Sequence, residues 1–224
     1  MTFLCEFCKK TFVKETSLAV HMCEPKRRRH ERNERGVELG LQAYLKFYEL
    51  SQGSARLKTF DDFADSAYYR AFVKFGRYCV NTRVINPTQF LEWLLKQNKK
   101  IDRWASDQLY TEYLTWYVTV EAVSDAVTRA IEQSMQWQEQ TGHPASDMLR
   151  YGNANALCYE ITAGRISAWV IYNSASGQEF LNSLNSEQLA MIWPYIDSDV
   201  WQKRFSDYPA DRAWVEDILK KAGW

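Results

Sequence analysis

Glycine is scarce in this sequence, with nine residues among 224. Loops that cradle phosphates rely on closely spaced glycines, because a residue without a side chain lets backbone N–H groups approach a phosphate. Neither G-x-G-x-x-G nor the P-loop pattern occurs, and the metalloprotease motif H-E-x-x-H is also missing. Cys79, Cys158 and His143 have no sequence neighbour at the spacing of a triad or a metal site. We therefore predict a protein that is not an enzyme and binds no small-molecule substrate.

Long hydrophobic runs are missing as well. The apolar stretches are short and interrupted by charges, whereas a membrane-spanning helix needs about 20 consecutive apolar residues. The segment Met1–Cys5 has neither the basic region nor the apolar core of a secretory signal. Five cysteines are too few for a disulfide-dense scaffold of this length. These absences predict a protein without membrane contact and with a cytoplasmic location.

The 28 basic and 28 acidic residues balance over the chain but not along it. Residues 1–36 carry nine basic and five acidic side chains, whereas residues 37–224 carry nineteen and twenty-three. A basic segment on an acidic body is typical of contact with a polyanion or an acidic protein. The predicted phosphate contacts are Lys9, Lys10, Lys14, Lys26, Arg27, Arg28, Arg29, Arg32 and Arg35. Glu31 and Glu34 lie among them, so a solvated, salt-bridged helix face is the alternative.

Helical periodicity dominates the chain, which predicts a mainly α fold: a small zinc-finger module followed by an irregular multi-helix domain. The polar segment Ser51–Ser54 is the clearest linker. Thr59 is a predicted N-cap of a helix whose apolar stripe runs on to Cys79, and Asn86 caps the next helix, with Pro87 at its first position. The predicted divisions are a zinc-finger module over 1–25, a basic and amphipathic connecting helix over 26–52, and a helical domain over 55–224.

Two further elements follow from apolar spacing. Apolar residues from Leu109 to Ala130 step by three and four, which predicts one long helix over 106–140, ended by Gly142. Trp169–Tyr172 is a short apolar run typical of a strand, although no partner strand of similar quality is evident. Most of the nine tryptophans lie beside apolar stripes, so we expect most of them in the core.

The most specific motif in the sequence is a Cys/His pattern at the N-terminus. Cys5 and Cys8 are separated by two residues, which lets both thiolates bind one ion from a tight turn, and His21 follows. A module of this size cannot bury enough surface to fold alone. A structural Zn²⁺ would supply about 10–16 kcal/mol of apparent binding free energy at neutral pH. The apolar positions expected to press its helix onto its hairpin are Phe3, Phe12 and Leu18.

This pattern resembles the C2H2 zinc-finger family over residues 1–25, up to the third ligand. The family has a second histidine three to five residues after the first, and positions 25–27 of this chain hold none. By the family's helix numbering, the base-facing residues would be Lys14, Ser17 and Val20. Lys14 suits guanine or a phosphate, but Val20 has no polar group, and one finger covers only about three base pairs. We therefore expect phosphate contacts without sequence preference rather than base recognition by the finger alone.

Two residues can replace the missing fourth ligand, namely Cys23 and His30. Residues two apart on a regular helix point about 200° apart, so Cys23 can join His21 only if the helix opens near residue 22, which Pro25 favours. His30 would need a longer loop that reaches back. Because a thiolate is the stronger ligand and the loop is shorter, we favour Cys23. The predicted site is one structural Zn²⁺ bound by Cys5, Cys8, His21 and Cys23.

In size, mixed helical architecture and aromatic content, the remainder of the chain resembles small accessory proteins of T4-like tailed bacteriophages. Several of those assist replication, recombination or late transcription, so the resemblance implies a viral protein of the host cytoplasm with a protein partner. The sequence therefore favours a non-enzymatic accessory factor that contacts nucleic acid through its basic N-terminal region and a protein through its helical body. The alternative is a structural or assembly protein that uses the zinc module to dock on a protein.

Overall fold

The computed structural model describes residues 2–53 and 58–224, with Gln52 as backbone only. Over these residues the fold is mainly α with a single two-stranded sheet, which confirms the predicted fold class. The chain divides into two compact units, Met1–Tyr110 and Thr111–Trp224. The described helices include none with the length and apolarity needed to cross a bilayer. The domain boundaries predicted from the sequence stay predictions, and Ser54 of the predicted linker lies outside the described residues.

The first unit begins with the small sheet and continues as helices, the last of which contains the division between the units. The strands are β1 (Phe3–Leu4) and β2 (Thr11–Phe12). The helices are α1 (Glu15–Ala19), α2 (Glu24–His30), α3 (Arg35–Gln52), α4 (Phe60–Ala64), α5 (Tyr69–Thr82), α6 (Pro87–Lys96) and α7 (Asp107–Tyr117). Single 3₁₀ turns lie at Glu31–Asn33 and Ile101–Arg103.

Helices α3 and α5 pack closely because glycines face each other where they cross. A Cβ added at Gly76 of α5 would lie 2.0 Å from the carbonyl oxygen of Gly36 and 2.5 Å from the amide nitrogen of Gly40, both on α3. Real Cβ atoms do not approach backbone atoms this closely, so Gly76 allows a contact that no larger residue permits without a shift of the two helices. This crossing fixes α5 beside α3.

An aromatic core surrounds the crossing. The fully buried Trp104 ring lies 5.8 Å from Phe72 and 5.6 Å from Phe75, both in edge-on geometry. Its indole N–H donates to the carbonyl oxygen of Lys99 at 2.9 Å, so the polar atom of the ring is satisfied in the core. The predicted helix starts are also present: Thr59 forms a capping box, and the Asn86 side chain accepts from the third residue of α6.

Two helices predicted as continuous in this unit are divided. The connecting helix predicted over 26–52 becomes α2, a 3₁₀ turn and α3, because Glu34 adopts an extended backbone and its carboxylate pairs with Arg77 of α5. The stripe from Thr59 to Cys79 is divided between α4 and α5 by the turn at residues 65–68. At the end of α4 the Ala64 carbonyl accepts a hydrogen bond from the Arg28 side chain of α2, and the Ser66 carbonyl accepts from Arg28 as well as from the Tyr69 amide.

The second unit contains the end of α7 and the helices that follow it. They are α8 (Val123–Thr141), α9 (Met148–Tyr151), α10 (Ala154–Thr162), α11 (Ala168–Tyr172), α12 (Ala175–Ser183), α13 (Ser186–Ile196), α14 (Ser198–Asp207) and α15 (Pro209–Lys221). One 3₁₀ turn lies at Ala145–Asp147. Gly142 ends α8 with a left-handed backbone, as its position predicts.

The long helix predicted over 106–140 is instead α7 and α8, separated by residues 118–122. A buried ionic network explains the break. The Arg204 guanidinium donates to the carbonyl oxygens of Thr119 and, at 2.7 Å, Glu121, which a continuous helix would use internally. The fully buried Glu121 carboxylate accepts two hydrogen bonds from Arg129 at 2.7 and 2.8 Å. Burial raises the pKa of Glu121, while Arg129 opposes that shift.

The prediction of a strand at Trp169–Tyr172 is wrong, because these residues lie in α11. Ser167 caps this helix, and its side chain accepts a hydrogen bond from the Trp169 amide. All faces of this short helix are buried, and an apolar run buried on all sides has no periodicity that separates helix from strand. Trp169 and Trp201 pack edge to face at 5.7 Å in this core. We expected most of the tryptophans to lie in the core, and this expectation is only partly met. Trp116, Trp193 and Trp214 are each about two-fifths exposed.

Candidate metal centre

The turn between the two strands positions the first two thiols. Strands β1 and β2 pair antiparallel, with Phe3 opposite Phe12. Cys5 closes the turn, since its N–H donates to the Lys10 carbonyl at 2.9 Å and its own carbonyl accepts from Lys9 at 2.9 Å. Lys9 takes a left-handed backbone with φ of 60°, which brings the chain sharply back toward the sheet. Cys5 and Cys8 therefore present their sulfurs from one tight knuckle.

Helix α1 is only one turn long, and this brings the other two ligands into place. It ends at Ala19, and Val20 forms its C-cap. His21 and Cys23 thus lie beyond the helix, so the 200° separation of a regular helix does not apply to them. Cys23 has an extended backbone, with φ of −79° and ψ of 164°, and caps α2. The helix opens before residue 22, as the prediction required, and Pro25 lies in the first turn of the following helix.

Cys5, Cys8, His21 and Cys23 bring their ligand atoms together. These atoms lie within 4.8 Å of one another. The Cys8 sulfur is 3.2 Å from Nε2 of His21, and the sulfurs of Cys5 and Cys23 are 3.8 Å apart. Two sulfurs in a tetrahedral site with Zn–S bonds of about 2.3 Å are separated by about 3.8 Å. The cluster can therefore hold one metal ion. Among the residues that the structure describes, it is the sole group of this kind.

The surroundings of the cluster suit metal binding. Cys5 is buried, and the other three ligands are half-buried, so the site is shielded without being closed off. The backbone N–H of Cys8, helped by that of Phe7, holds the pKa of Cys5 at about 7, which favours the thiolate that binds a metal. The Phe12 ring lies 4.7 Å from the His21 ring and restrains the imidazole. The half-buried Phe12 and Leu18 occupy the positions predicted for the apolar core of the module.

His30, the alternative fourth ligand, is not part of this cluster. It is the last residue of α2 and is exposed. One full helix separates it from Cys23, and this helix carries the chain away from the other ligands. The structure thus brings together the four residues favoured from the sequence.

Helix α2 is bound to α4 and α5 by two of the predicted phosphate contacts. Arg28 donates to the Ala64 carbonyl at 2.7 Å, and its guanidinium lies over the Tyr69 ring at 4.6 Å. Arg29 forms ion pairs at 3.1 Å with both Asp61 and Asp65. Arg28 and Arg29 therefore have intramolecular partners, and their role as phosphate contacts stays a prediction. The physical reason is that successive helical residues point about 100° apart, so a basic run on a helix faces several directions.

Most of the other predicted basic residues remain accessible. Lys26 is half-buried, and its ammonium donates to the His21 carbonyl at 3.3 Å. Arg27 is exposed and has one long ion pair with Glu31, at 3.9 Å. Arg32 lies over the Phe60 ring at 4.9 Å. The residues with exposed side chains are Lys9, Lys10, Lys14, Arg27, Arg32 and Arg35.

A cleft of about 680 Å³ lies between α2 and α5 and adds basic residues that the sequence analysis missed. Arg70, Lys74 and Arg77 of α5 line it together with Arg27 and Arg28 of α2. The signal was present in the sequence: residues 70, 74 and 77 have the spacing of one helical face, opposite the apolar stripe. They went unnoticed because they are not consecutive.

Comparison of the chain with protein-family models, with curated proteins and with solved structures finds no match in any of the three.

Proposed function

We propose that this protein is a zinc-stabilised, non-enzymatic accessory factor that binds nucleic acid through its basic N-terminal region. Three thiolates and one imidazole form a donor set that suits Zn²⁺, and four ligands complete its tetrahedral coordination. A site closed by four protein ligands leaves no position for water or substrate, which favours a structural ion over a catalytic one. Thiol ligands persist in a reducing compartment, which favours the cytoplasm.

The observation that carries nucleic-acid binding is the group of exposed basic side chains in the N-terminal region, in the metal-binding module and after α2. Lys9 and Lys10 lie in the knuckle, Lys14 precedes α1, and Arg32 and Arg35 flank the start of α3. Cations presented by a rigid module bind phosphates through charge and counterion release, without base contacts. Base recognition in the manner of a C2H2 finger is disfavoured, because α1 ends before Val20, the last of the three base-facing positions.

The helical body is proposed to bind a protein partner. The support is a set of exposed aromatic residues, because tryptophan is enriched where protein interfaces gain most of their affinity. Trp116, Trp193 and Trp214 are each about two-fifths exposed.

Fluorescence anisotropy of the zinc-loaded chain with labelled single- and double-stranded oligonucleotides, over a salt series, tests nucleic-acid binding. We expect micromolar or tighter binding at low salt, with an affinity that falls steeply as salt rises. Arg32→Gln/Arg35→Gln should weaken binding to every sequence and reduce the salt slope. Lys203→Gln/Lys220→Gln, at exposed positions of the second unit, is the matched control and should bind as the unsubstituted protein does. Absence of binding at low salt would contradict the proposal.

A second candidate is a structural role in which the zinc module docks on a protein. Val13 and Val20 are each 83% exposed, and Met22 is about half exposed, so the module presents apolar side chains beside the metal cluster. Docking through these side chains would be nearly insensitive to salt, unlike phosphate binding. Salt dependence therefore separates the two candidates.

A further inference from the structure

The cleft between α2 and α5 has a positive lining. Five basic side chains line it, and two acidic ones, Glu24 and Glu31, oppose them. Its basic residues are Arg27, Arg28, Arg70, Lys74 and Arg77. All lining residues belong to the first unit, so the cleft is a feature of that unit alone.

Lys74 shows that the positive charge is not fully neutralised within the protein. Its side chain is exposed, and no carboxylate among the described residues pairs with it. Arg70 forms an ion pair but keeps 75% of its side chain exposed. The ammonium of Lys74 is therefore available to an anionic ligand.

Carboxylates orient the two arginines and leave part of each guanidinium available. Arg70 donates from Nε and Nη2 to Glu24 at 3.0 and 2.8 Å, and Arg77 donates from the same two atoms to Glu34 at 2.7 and 2.6 Å. In both residues no group of the described chain accepts from Nη1. A guanidinium held by a bidentate pair loses little rotamer entropy when it binds a further oxyanion.

The spacing of the cations suits a linear polyanion. Arg70, Lys74 and Arg77 follow one face of α5 and span about 10 Å along the axis, from the rise of about 1.5 Å per residue. This length corresponds to about three nucleotides at about 3.4 Å per nucleotide along one strand. Across the cleft, Arg27 belongs to α2, which begins directly after the metal ligand Cys23. A polyanion in the cleft can thus continue toward the basic residues of the zinc module.

We propose that the α2–α5 cleft is the main phosphate-contact site for a nucleic-acid backbone, with Arg27, Arg70, Lys74 and Arg77 as its contacts. The proposal rests on the proposed nucleic-acid binding and locates it. Sequence preference is not expected, because the cleft offers guanidinium and ammonium groups, which bind phosphates. Phosphate contacts carry no base information, so the ligand is recognised through its backbone.

The test is a salt series of oligonucleotide binding by the zinc-loaded full chain and its Arg27→Gln/Lys74→Gln variant. Neither residue has a short ion pair within the described chain, so the fold should be retained, as circular dichroism checks. Each lost phosphate contact should reduce the slope of log affinity against log salt by about 0.7–0.9. The affinity should fall equally for oligonucleotides of different sequence. Lys96→Gln, on exposed α6 surface outside the cleft, should leave the slope unchanged.

The outcomes separate this proposal from the proposed function. If the unsubstituted protein binds no oligonucleotide at low salt, both fail. If it binds, and the cleft variant binds with the same slope while Lys9→Gln/Lys10→Gln/Lys14→Gln loses affinity, the cleft proposal is overturned and nucleic-acid binding stands. If polyglutamate displaces the labelled strand as effectively as unlabelled oligonucleotide does, the cleft accepts an acidic protein instead, which also overturns the proposal.

Discussion

Arg28 illustrates that the neighbours of a residue in the sequence do not determine which groups its side chain contacts. The run of basic residues at 26–29 predicts one positive surface, yet Arg28 faces α4 and α5 with only 19% of its side chain exposed, whereas Arg27 faces solvent. The Ala64 carbonyl that accepts from Arg28 lies 36 residues further along the chain. Local spacing shows that a helix distributes its side chains, but only the tertiary fold decides which of them find partners.

Loss of the Arg28 contacts should destabilise the protein. In Arg28→Ala, the carbonyl of Ala64 loses a charge-assisted hydrogen bond, and Glu24 loses one of its two partners. Hydrogen bonds to charged groups contribute about 1.5–3 kcal/mol, so the free energy of unfolding in urea should fall by about that amount. Arg35→Ala, at an exposed position without such contacts, should change it by less than about 0.5 kcal/mol. Equal stability of the two variants would contradict the docking role of Arg28.

The five cysteines should fall into two classes of reactivity. Burial raises the pKa of Cys79 to about 12 and also raises the pKa of Cys158, so both thiols are protonated and inaccessible at neutral pH. In the zinc-loaded protein we expect no rapid reaction with a disulfide reagent. After chelation, Cys5, Cys8 and Cys23 should react quickly, and the other two only on unfolding. Rapid reaction of three thiols before chelation would show that they are not metal ligands.

At the scale of secondary-structure elements, the sequence predicted that most segments are helical, but it predicted only some of the helix ends. The caps at Thr59 and Asn86 were found because the side chain and its partner lie within three residues. The break between α7 and α8 was missed because Arg204, which satisfies the freed carbonyls, is more than 80 residues away from them. The apolar spacing continued through the break and gave no local sign of it.

Gly76→Ala should separate α3 from α5. The added Cβ would overlap backbone atoms of Gly36 and Gly40, which move only if the helix moves. Overpacking of this kind costs about 1–3 kcal/mol, although alanine is the better helix former. Urea unfolding should show the loss, and Lys74→Ala on the same helix controls for helix propensity. A stability equal to or above that of the parent would mean that the helices are not this close.

The ion pair between α9 and α12 should give a pH-dependent contribution to stability. Arg150 lies 2.7 Å from Glu179 and lowers the pKa of that carboxyl through hydrogen bonding. A group whose pKa is lower in the folded state stabilises the protein above its unfolded pKa, and that stability is lost as the pH falls through the folded value. The parent should therefore exceed Glu179→Gln in thermal stability at pH 7, and the difference should shrink and then disappear as the pH falls through the lowered pKa of Glu179. Glu139→Gln controls for loss of one surface charge, and a difference that grew on acidification would contradict the pairing.

At the scale of the whole molecule, the sequence was sufficient to predict those features whose interacting residues lie close together along the chain. The four residues of the candidate metal cluster lie within 19 residues of one another, so their spacing predicted the cluster, including Cys23 as the fourth member. The α2–α5 cleft joins residues about 45 positions apart; local spacing marks the basic face of α5, but no local pattern indicates that α2 lies opposite it. The ionic network of Glu121, Arg129 and Arg204 was missed for the same reason.

The cluster of Cys5, Cys8, His21 and Cys23 is proposed to bind one Zn²⁺ that stabilises the N-terminal module. The most direct test is the zinc content of the purified chain, measured by mass spectrometry of the metal, together with Cys23→Ser and His30→Ala. We predict one zinc per chain in the parent and in His30→Ala, and a loss of zinc in Cys23→Ser. A parent without zinc would rule out the proposed site, and a Cys23→Ser variant that keeps its zinc while His30→Ala loses it would make His30 the fourth ligand.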